Sequence, residues 1–269
     1  MTDGDPLGNS ADGIVATLNG AAVTRTALRA WESRRARAVL EVFGSRLGAR
    51  GVAEICAGVP IKAALAADLE TQRDYLVALK TGIGHAGIYA MFRRELALAE
   101  RTARIAVALS RGRSVHSSVH LVAPGYSAAA FTEWFDNLVT RNAEGDMIRA
   151  CPDHHLLRGL PDGRQEVVET TGGSPTPTRF LVDYTHSEAL SIPVHPDYPI
   201  QIAGHAVLDD GMIVGGVRHQ FRDRNGSMEA LLTVQFPGVL PARMVETHRW
   251  HLAVEFSNWI EASLGGSTA

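Results

Sequence analysis

A series of strand candidates followed by one long helix is the feature that most constrains the fold of this chain. Alternating apolar residues, separated by turns rich in Pro, Gly, Asp and Asn, predict strands at residues 115–122, 166–170, 179–184, 200–208, 212–222 and 229–236. A final amphipathic helix is predicted at residues 241–264. Because a sheet must bury its apolar face against another layer, these elements predict an α+β helix-grip arrangement. In it the sheet wraps around the helix and leaves a cavity between them.

The first 110 residues have a different pattern, which indicates a second domain. Apolar residues recur at helical spacing, which predicts helices at residues 24–47, 61–79 and 88–109 after a flexible leader at 1–13. The segment Ser110-Arg-Gly-Arg-Ser114 is typical of a domain junction. We therefore expect an N-terminal helical domain over residues 1–110 and the helix-grip domain over residues 111–269.

Composition limits the kinds of partner and site. Cys56 and Cys151 are the only cysteines, so a disulfide framework and a cysteine-based zinc site are both excluded, and a metal would need histidine and carboxylate. The net charge is −3 and no Lys/Arg-rich run is present, so we expect a small-molecule partner rather than nucleic acid. The sequence has no apolar run of bilayer length and no secretory pattern at its start, which favours a cytoplasmic protein without a membrane partner.

The motif His251-Leu-Ala-Val-Glu255 lies inside the predicted final helix. Residues four apart lie on the same helix face, so the imidazole and the carboxylate could share one divalent ion. A solvated pair on an exposed face is the alternative, and the motif alone favours that reading. A metal site therefore needs further ligands from elsewhere in the chain.

Candidates for those ligands lie between the first and last predicted strands. Of the eleven histidines, all but His85 follow the predicted junction. The segment Cys151-Pro-Asp-His-His155 places two histidines after a proline, which predicts a stiff turn from which the rings can project. In Gln165-Glu-Val-Val-Glu169, the alternation does not decide whether Glu166 or Glu169 points inward.

The order of four motifs resembles that of the 2,4-diacetylphloroglucinol hydrolase family, which includes phloretin hydrolase. The motifs are Ala123-Pro-Gly-Tyr-Ser-Ala-Ala-Ala-Phe-Thr-Glu-Trp-Phe135, Cys151-Pro-Asp-His-His155, Glu169-Thr-Thr-Gly-Gly173 and His251-Leu-Ala-Val-Glu-Phe-Ser-Asn258. The resemblance spans residues 115–265 and leaves the helical first part of the chain unexplained. It implies a Bet v 1-like (START-type) helix-grip domain with a zinc ion in its cavity.

The resemblance also implies the ligands of that ion. Carried over by motif, they are His155, Glu169, His251 and Glu255, with His154 as a neighbouring group or a substitute ligand. Imidazole nitrogen and carboxylate oxygen both suit Zn²⁺. Two positions depart from the family: Met147 stands where a tyrosine is usual, and Arg158 where an asparagine is usual. We therefore expect a changed substrate.

The implied reaction is hydrolysis of the carbon–carbon bond between an acyl group and an aromatic or enolic carbon, in an acyl-phenol or polyketide-like molecule. The leaving carbon needs a proton donor, and His154, His205 and His219 are candidates, although the pattern of each favours a structural or surface histidine. A polyketide cyclase or a non-catalytic ligand carrier is the alternative. The N-terminal helices could form a homodimer interface, a lid or a partner-binding module, and we expect a homodimer.

Overall fold

The computed structural model describes residues 13–185, 187 and 190–265, so the predicted leader lies outside the described residues except for Gly13. The strands in this part of the chain are β1 (Val15–Leu18), β2 (Ala21–Thr24), β3 (Ser114–Pro124), β4 (His154–Gly159), β5 (Gln165–Glu169), β6 (Thr178–Asp183), β7 (Ile200–Val207), β8 (Ile213–Arg224) and β9 (Ser227–Pro237). The helices are α1 (Arg25–Ile55), α2 (Ile61–Ala66), α3 (Leu69–Ser110), α4 (Ala128–Thr140), α5 (Glu144–Arg149) and α6 (Ala242–Gly265), with a 3₁₀ turn at Thr171–Gly173.

The nine strands form one antiparallel sheet in the order β2-β1-β3-β9-β8-β7-β6-β5-β4. All six predicted strands are present within a few residues of their expected limits, and so is the final helix. The mixed fold of helices and antiparallel sheet is therefore confirmed. The sequence reading missed α5 and β4, because β4 follows Pro152 and its sequence, His-His-Leu-Leu-Arg-Gly, does not alternate.

The prediction of a purely helical first part is wrong for the hairpin of β1 and β2. The two strands pair around Asn19-Gly20, whose φ angles of 50° and 79° are those of a type I′ turn. An Asn-Gly pair between apolar residues is a strong hairpin signal, and it was present in the sequence. Since β1 also pairs with β3, the N-terminal part contributes two strands to the main sheet.

The sheet carries helices on both faces. On one face, α1 and α3 form an apolar cluster that includes Phe43 and Phe92 of the helices and Leu156 and Val168 of the sheet. On the other face, α4 and α6 pack against β1, β3, β8 and β9 in the main core. Helix α6 lies deep in this core, and residues 251–260 are all buried. None of the helices in the described part of the chain combines the length and apolar character needed to cross a membrane.

Candidate metal centre

Four side chains from the sheet and α6 bring their ligand atoms together inside the protein. The Nε2 atoms of His154 and His251 are 3.2 Å apart, and Oε2 of Glu255 is 2.9 Å from the first and 3.2 Å from the second. Oε2 of Glu169 lies 3.8 Å from Nε2 of His154 and 3.7 Å from Nε2 of His251. All four residues are buried. Two imidazoles and two carboxylates thus surround one small volume.

This donor set fits a divalent ion such as Zn²⁺. Zinc bonds of about 2.0–2.2 Å to nitrogen and oxygen place neighbouring ligand atoms of a tetrahedron about 3.3–3.6 Å apart. The measured separations of 2.9 to 3.8 Å bracket that range. Two carboxylates and two neutral imidazoles carry two negative charges, which one divalent cation balances. Buried charge without such compensation is unfavourable.

Regular secondary structure positions each of the four ligands. His251 and Glu255 are one turn apart on the buried face of α6. His154 and Glu169 are directly opposite each other in the antiparallel pair of β4 and β5, so their side chains lie on the same face of the sheet. The site therefore joins one helix to two adjacent strands.

His155, predicted as a ligand, lies outside this cluster, and His154 takes its position. Nε2 of His155 is 2.9 Å from Oγ1 of Thr170, and the His155 ring stacks on that of Phe92 in the helical layer. The pairing of β4 with β5 shifts between His154 and Leu156, which makes His155 the extra residue of a β-bulge. The bulge places His155 on the outer face of the sheet, so His154, and not His155, belongs to the cluster.

The structure decides between the two glutamates of β5. Glu169 faces the metal cluster, whereas Glu166 faces the other side and accepts hydrogen bonds from Nε of Arg158 at 2.8 Å and of Arg179 at 2.5 Å. Arg158 and Met147, the two positions that depart from the family, do not border the large cavity described below. The two departures from the family therefore do not alter the lining of this cavity.

Cys151 offers a second set of donors with His154 and His251, whose ligand atoms lie within 4.8 Å of one another. Its Sγ is 3.6 Å from Nδ1 of His251, the ring nitrogen opposite the one that faces the two glutamates. Burial raises the pKa of the Cys151 thiol to about 11, so it is neutral near pH 7. Because Sγ lies beside Nδ1 of His251 and the two carboxylates lie beside Nε2, one ion would not contact both, and we favour the histidine and glutamate set.

The electrostatics of the metal-free cluster favour positive charge. Burial opposes ionisation of Glu255, but hydrogen bonds with His154 and His251 lower the pKa of its carboxyl well below the usual range. Burial also opposes the charged form of His251, yet Cys151, Glu169 and Glu255 outweigh it and raise the pKa of this imidazole well above its usual value. Without a metal, the carboxylates therefore hold a proton on His251, and a cation would replace that proton.

The cluster lies on the wall of a cavity of about 500 Å³. The cavity lies between α6 and strands β4 to β9, as the sequence predicted, and the C-terminal half of α3 borders one side. Its size is typical of a small-molecule site, and most of its lining residues are apolar. The four ligands thus face a chamber that can admit an organic substrate.

The three predicted proton donors have different positions. His154 belongs to the metal cluster, and His219 of β8 lies on the cavity wall with its ring 4.6 Å from that of Phe256. Ala206 of β7 borders the cavity, so the alternation of the strand places His205 on the opposite face. Burial lowers the pKa of His219 to about 4, so the ring is neutral near pH 7.

His248 is a cavity residue that the sequence reading missed. Its Nδ1 is 2.9 Å from Oγ of Ser117, and its ring is parallel to that of His251 at 5.4 Å. Burial lowers the pKa of His248 to about 3. Helical spacing could have identified this residue from the sequence, because His248 is three residues before His251 and lies on the same face of α6.

The comparisons with known proteins give only slight likenesses. No family model matches the chain, and no curated protein matches it. The crystal structure of Ara h 8.0201 aligns with 57% of this chain and 99% of its own, with a TM-score of 0.37 and 8% identity. The crystal structure of protein Ms6760 from Mycobacterium smegmatis aligns with 57% of this chain and 91% of its own, with a TM-score of 0.33 and 13% identity. Neither likeness bears on function.

Proposed function

We propose that this chain is a zinc-dependent hydrolase of a small organic molecule. One observation carries the proposal: two imidazole nitrogens lie 3.2 Å apart, and an oxygen of each of two carboxylates lies 2.9 to 3.8 Å from both, on the wall of a cavity of about 500 Å³. His154, Glu169, His251 and Glu255 would hold the ion. A catalytic zinc ion needs a position open to water or substrate, and the chamber beside this cluster gives such access.

We also propose that β3 to β9 with α4, α5 and α6 form a Bet v 1-like helix-grip domain. Two observations support this: the strand β3 is followed by two helices, six antiparallel strands and one long helix, and the cavity lies between that helix and the sheet. The hairpin of β1 and β2 then extends the sheet of this domain at one edge.

The reaction we propose is cleavage of a carbon–carbon bond beside an acyl group. When bound, Zn²⁺ supplies a Lewis acid that polarises a carbonyl and lowers the pKa of water. In the overall reaction the acyl carbon gains hydroxyl from water, the bonding pair leaves with the enolic carbon, and that carbon takes the remaining proton. The order of motifs in the sequence supports this class, and the apolar wall suits the body of an acyl-phenol or polyketide-like substrate.

The residues around the cluster have assignable tasks in this reaction. His219 and His248 border the cavity and are neutral near pH 7, so either can present an N–H or a lone pair to the substrate without carrying charge. Apolar residues such as Phe256, together with Trp259, border the cavity beside the cluster, and their rings keep bulk water from that side of it. These groups orient and enclose the substrate.

The test is release of a carboxylic acid from acyl-phenol and β-diketone probes by the zinc-loaded chain. We expect acid release that stops after chelation and returns with Zn²⁺. The variant Glu255→Gln keeps the shape of the side chain and removes one anionic ligand, so it should lose at least about 100-fold in turnover if metal affinity falls as expected for a lost ligand contact. Full turnover by Glu255→Gln, or by the chelated protein, would contradict the proposal.

A second candidate is binding without hydrolysis, either as a carrier or as a polyketide cyclase. The observation that favours it is the mostly apolar lining of the cavity, which can hold a ligand by burial alone. A carrier would bind an apolar probe equally well with and without zinc. A cyclase would convert a poly-β-ketone with no acid release, so the same assay separates the three functions.

A further inference from the structure

The two strands that carry metal ligands are anchored on their outer face by the N-terminal helices. His155 follows the ligand His154, and its ring lies 5.1 Å from that of Phe92 and 5.6 Å from that of Phe43. Val168 precedes the ligand Glu169 and is fully buried in the same apolar cluster. Each strand ligand therefore has a neighbour that packs into the helical layer.

Two cations of that layer hold the backbone just before β4. Lys80 of α3 is buried, and its Nζ donates hydrogen bonds to the carbonyl oxygens of Pro152 at 2.8 Å and of His154 at 2.5 Å. Arg35 of α1 donates from Nε and Nη2 to the two carboxylate oxygens of Asp153, at 2.9 Å and 2.6 Å. Three consecutive residues, the last of them a metal ligand, are thus fixed from the opposite side of the sheet.

Packing alone would not require charged side chains at these contacts. Burying an ammonium group is unfavourable unless its hydrogen bonds are satisfied, and an apolar side chain of similar length would fill the same space without that cost. A two-pronged guanidinium–carboxylate pair also fixes direction more strictly than an apolar contact does. The two cations therefore define the path of the backbone that carries His154.

We propose that Lys80 and Arg35 are positioning residues of the metal centre, through which α1 and α3 hold His154 in place for the ion. The inference rests on the proposed metal site and assigns a role to the N-terminal helices at that site. When a residue that orients a metal ligand without contacting the ion is mutated, metal affinity commonly falls by about 10- to 100-fold. Lys80 and Arg35 act through the backbone and Asp153 rather than by touching the ion.

The experiment measures the Zn²⁺ affinity of the full-length chain by competition with a chromophoric chelator, together with the melting temperature of the metal-free protein. The variants are Lys80→Met and Arg35→Gln. Arg104→Gln is the control, because Arg104 also belongs to α3, has a side-chain exposure similar to that of Arg35, and pairs at 2.7 Å with Asp210 between β7 and β8 rather than with a residue beside β4. We expect each test variant to bind zinc about 10- to 100-fold more weakly and the control to bind as the unmodified chain does.

The two measurements separate positioning from stability. A purely structural role would lower the melting temperature and leave the zinc affinity of the folded protein unchanged, and that result would overturn the inference. Should Lys80→Met fail to fold, Arg35→Gln decides alone, because the side chain of Arg35 is 28% exposed and glutamine can still donate a hydrogen bond to the buried carboxylate of Asp153. If the unmodified chain bound no zinc, the metal site and the inference would both be overturned, whereas tight binding in every variant would overturn only the inference.

Discussion

Two adjacent histidines, His154 and His155, belong to opposite faces of one strand. The bulge at the start of β4 directs the first toward the cavity and the second toward Phe43 and Phe92. The consequence is that a motif defined by spacing from Pro152 can select the wrong ring of the pair. The structure makes the two roles distinguishable by experiment.

Replacing each histidine by phenylalanine should separate those roles. His154→Phe removes a ligand nitrogen, so we expect its zinc affinity to fall by more than about 100-fold, beyond the range seen for outer groups. His155→Phe keeps an aromatic ring among aromatic neighbours and should bind zinc far more tightly than His154→Phe. Equilibrium competition with a chelator checks both variants. The reverse order of affinities would restore the motif-based assignment of His155.

Three of the four residues of the cluster were predictable from the sequence. His251 and Glu255 follow from helical spacing, and Glu169 follows from the motif that precedes the glycine pair. His154 could not be selected over His155, because a single added residue in a strand reverses the faces that follow, and no sequence pattern marks that bulge. After the bulge, Arg158 pairs with Glu166 and hydrogen-bonds to it on the outer face.

At the scale of elements, the metal centre depends on close contact between the 3₁₀ turn Thr171–Gly173 and α6. Oγ1 of Thr171 donates a hydrogen bond to Oε1 of the ligand Glu169 at 3.0 Å. Gly172 has a φ of 45°, and a Cβ added there would lie 2.4 Å from Cβ of His248. The turn therefore needs glycine both for its backbone and for its approach to the helix.

Gly172→Ala should push this turn away from α6. We expect the free energy of unfolding to fall by about 1–3 kcal/mol, as for other overpacked sites, and zinc affinity to fall with it. Chemical denaturation and chelator competition measure the two effects. Gly163→Ala is the control, since Gly163 has a φ of 85° but a Cβ there would have no atom within 4 Å. If Gly163→Ala lost as much zinc affinity as Gly172→Ala, close packing would not be the cause.

The elements themselves were partly predictable. Strands β3 and β5 to β9 and helix α6 followed from alternation and helical periodicity in those segments. The N-terminal hairpin was missed although Asn19-Gly20 marks it, because its strands contain only four residues each. Its pairing with β3 joins residues about 100 positions apart, a long-range contact that local periodicity cannot predict.

At the scale of the whole molecule, the buried histidines make stability depend on pH. The pKa of His219 is about 4 and that of His248 about 3, both below the usual value of 6.5. Between the usual pKa of 6.5 and these lowered values, the unfolded chain binds protons that the folded chain does not. The contribution of these histidines to the free energy of unfolding is therefore fully present above pH 6.5 and is lost as the pH falls toward 4. Each such histidine contributes a slope of up to about 1.4 kcal/mol per pH unit.

His219→Phe should therefore flatten the loss of stability between pH 6.5 and pH 4.5. For the metal-free protein, we expect the slope of the free energy of unfolding against pH to decrease by up to about 1.4 kcal/mol per pH unit, because one titrating group is removed. The raised pKa of His251 changes the free energy of unfolding with pH in the opposite direction. Since His251 is present in both the variant and the unmodified chain, its effect cancels when their slopes are compared. Denaturant unfolding at a series of pH values provides the slopes, and equal slopes would show that His219 does not stay neutral on folding.

Anomalous diffraction from a crystal of the zinc-loaded chain would show whether one divalent ion is held by His154, Glu169, His251 and Glu255. We expect a single anomalous peak on the cavity wall, with bonds of about 2.0–2.2 Å to two imidazole nitrogens and two carboxylate oxygens. A peak at about 2.3 Å from Sγ of Cys151, or no peak in the cavity, would contradict it.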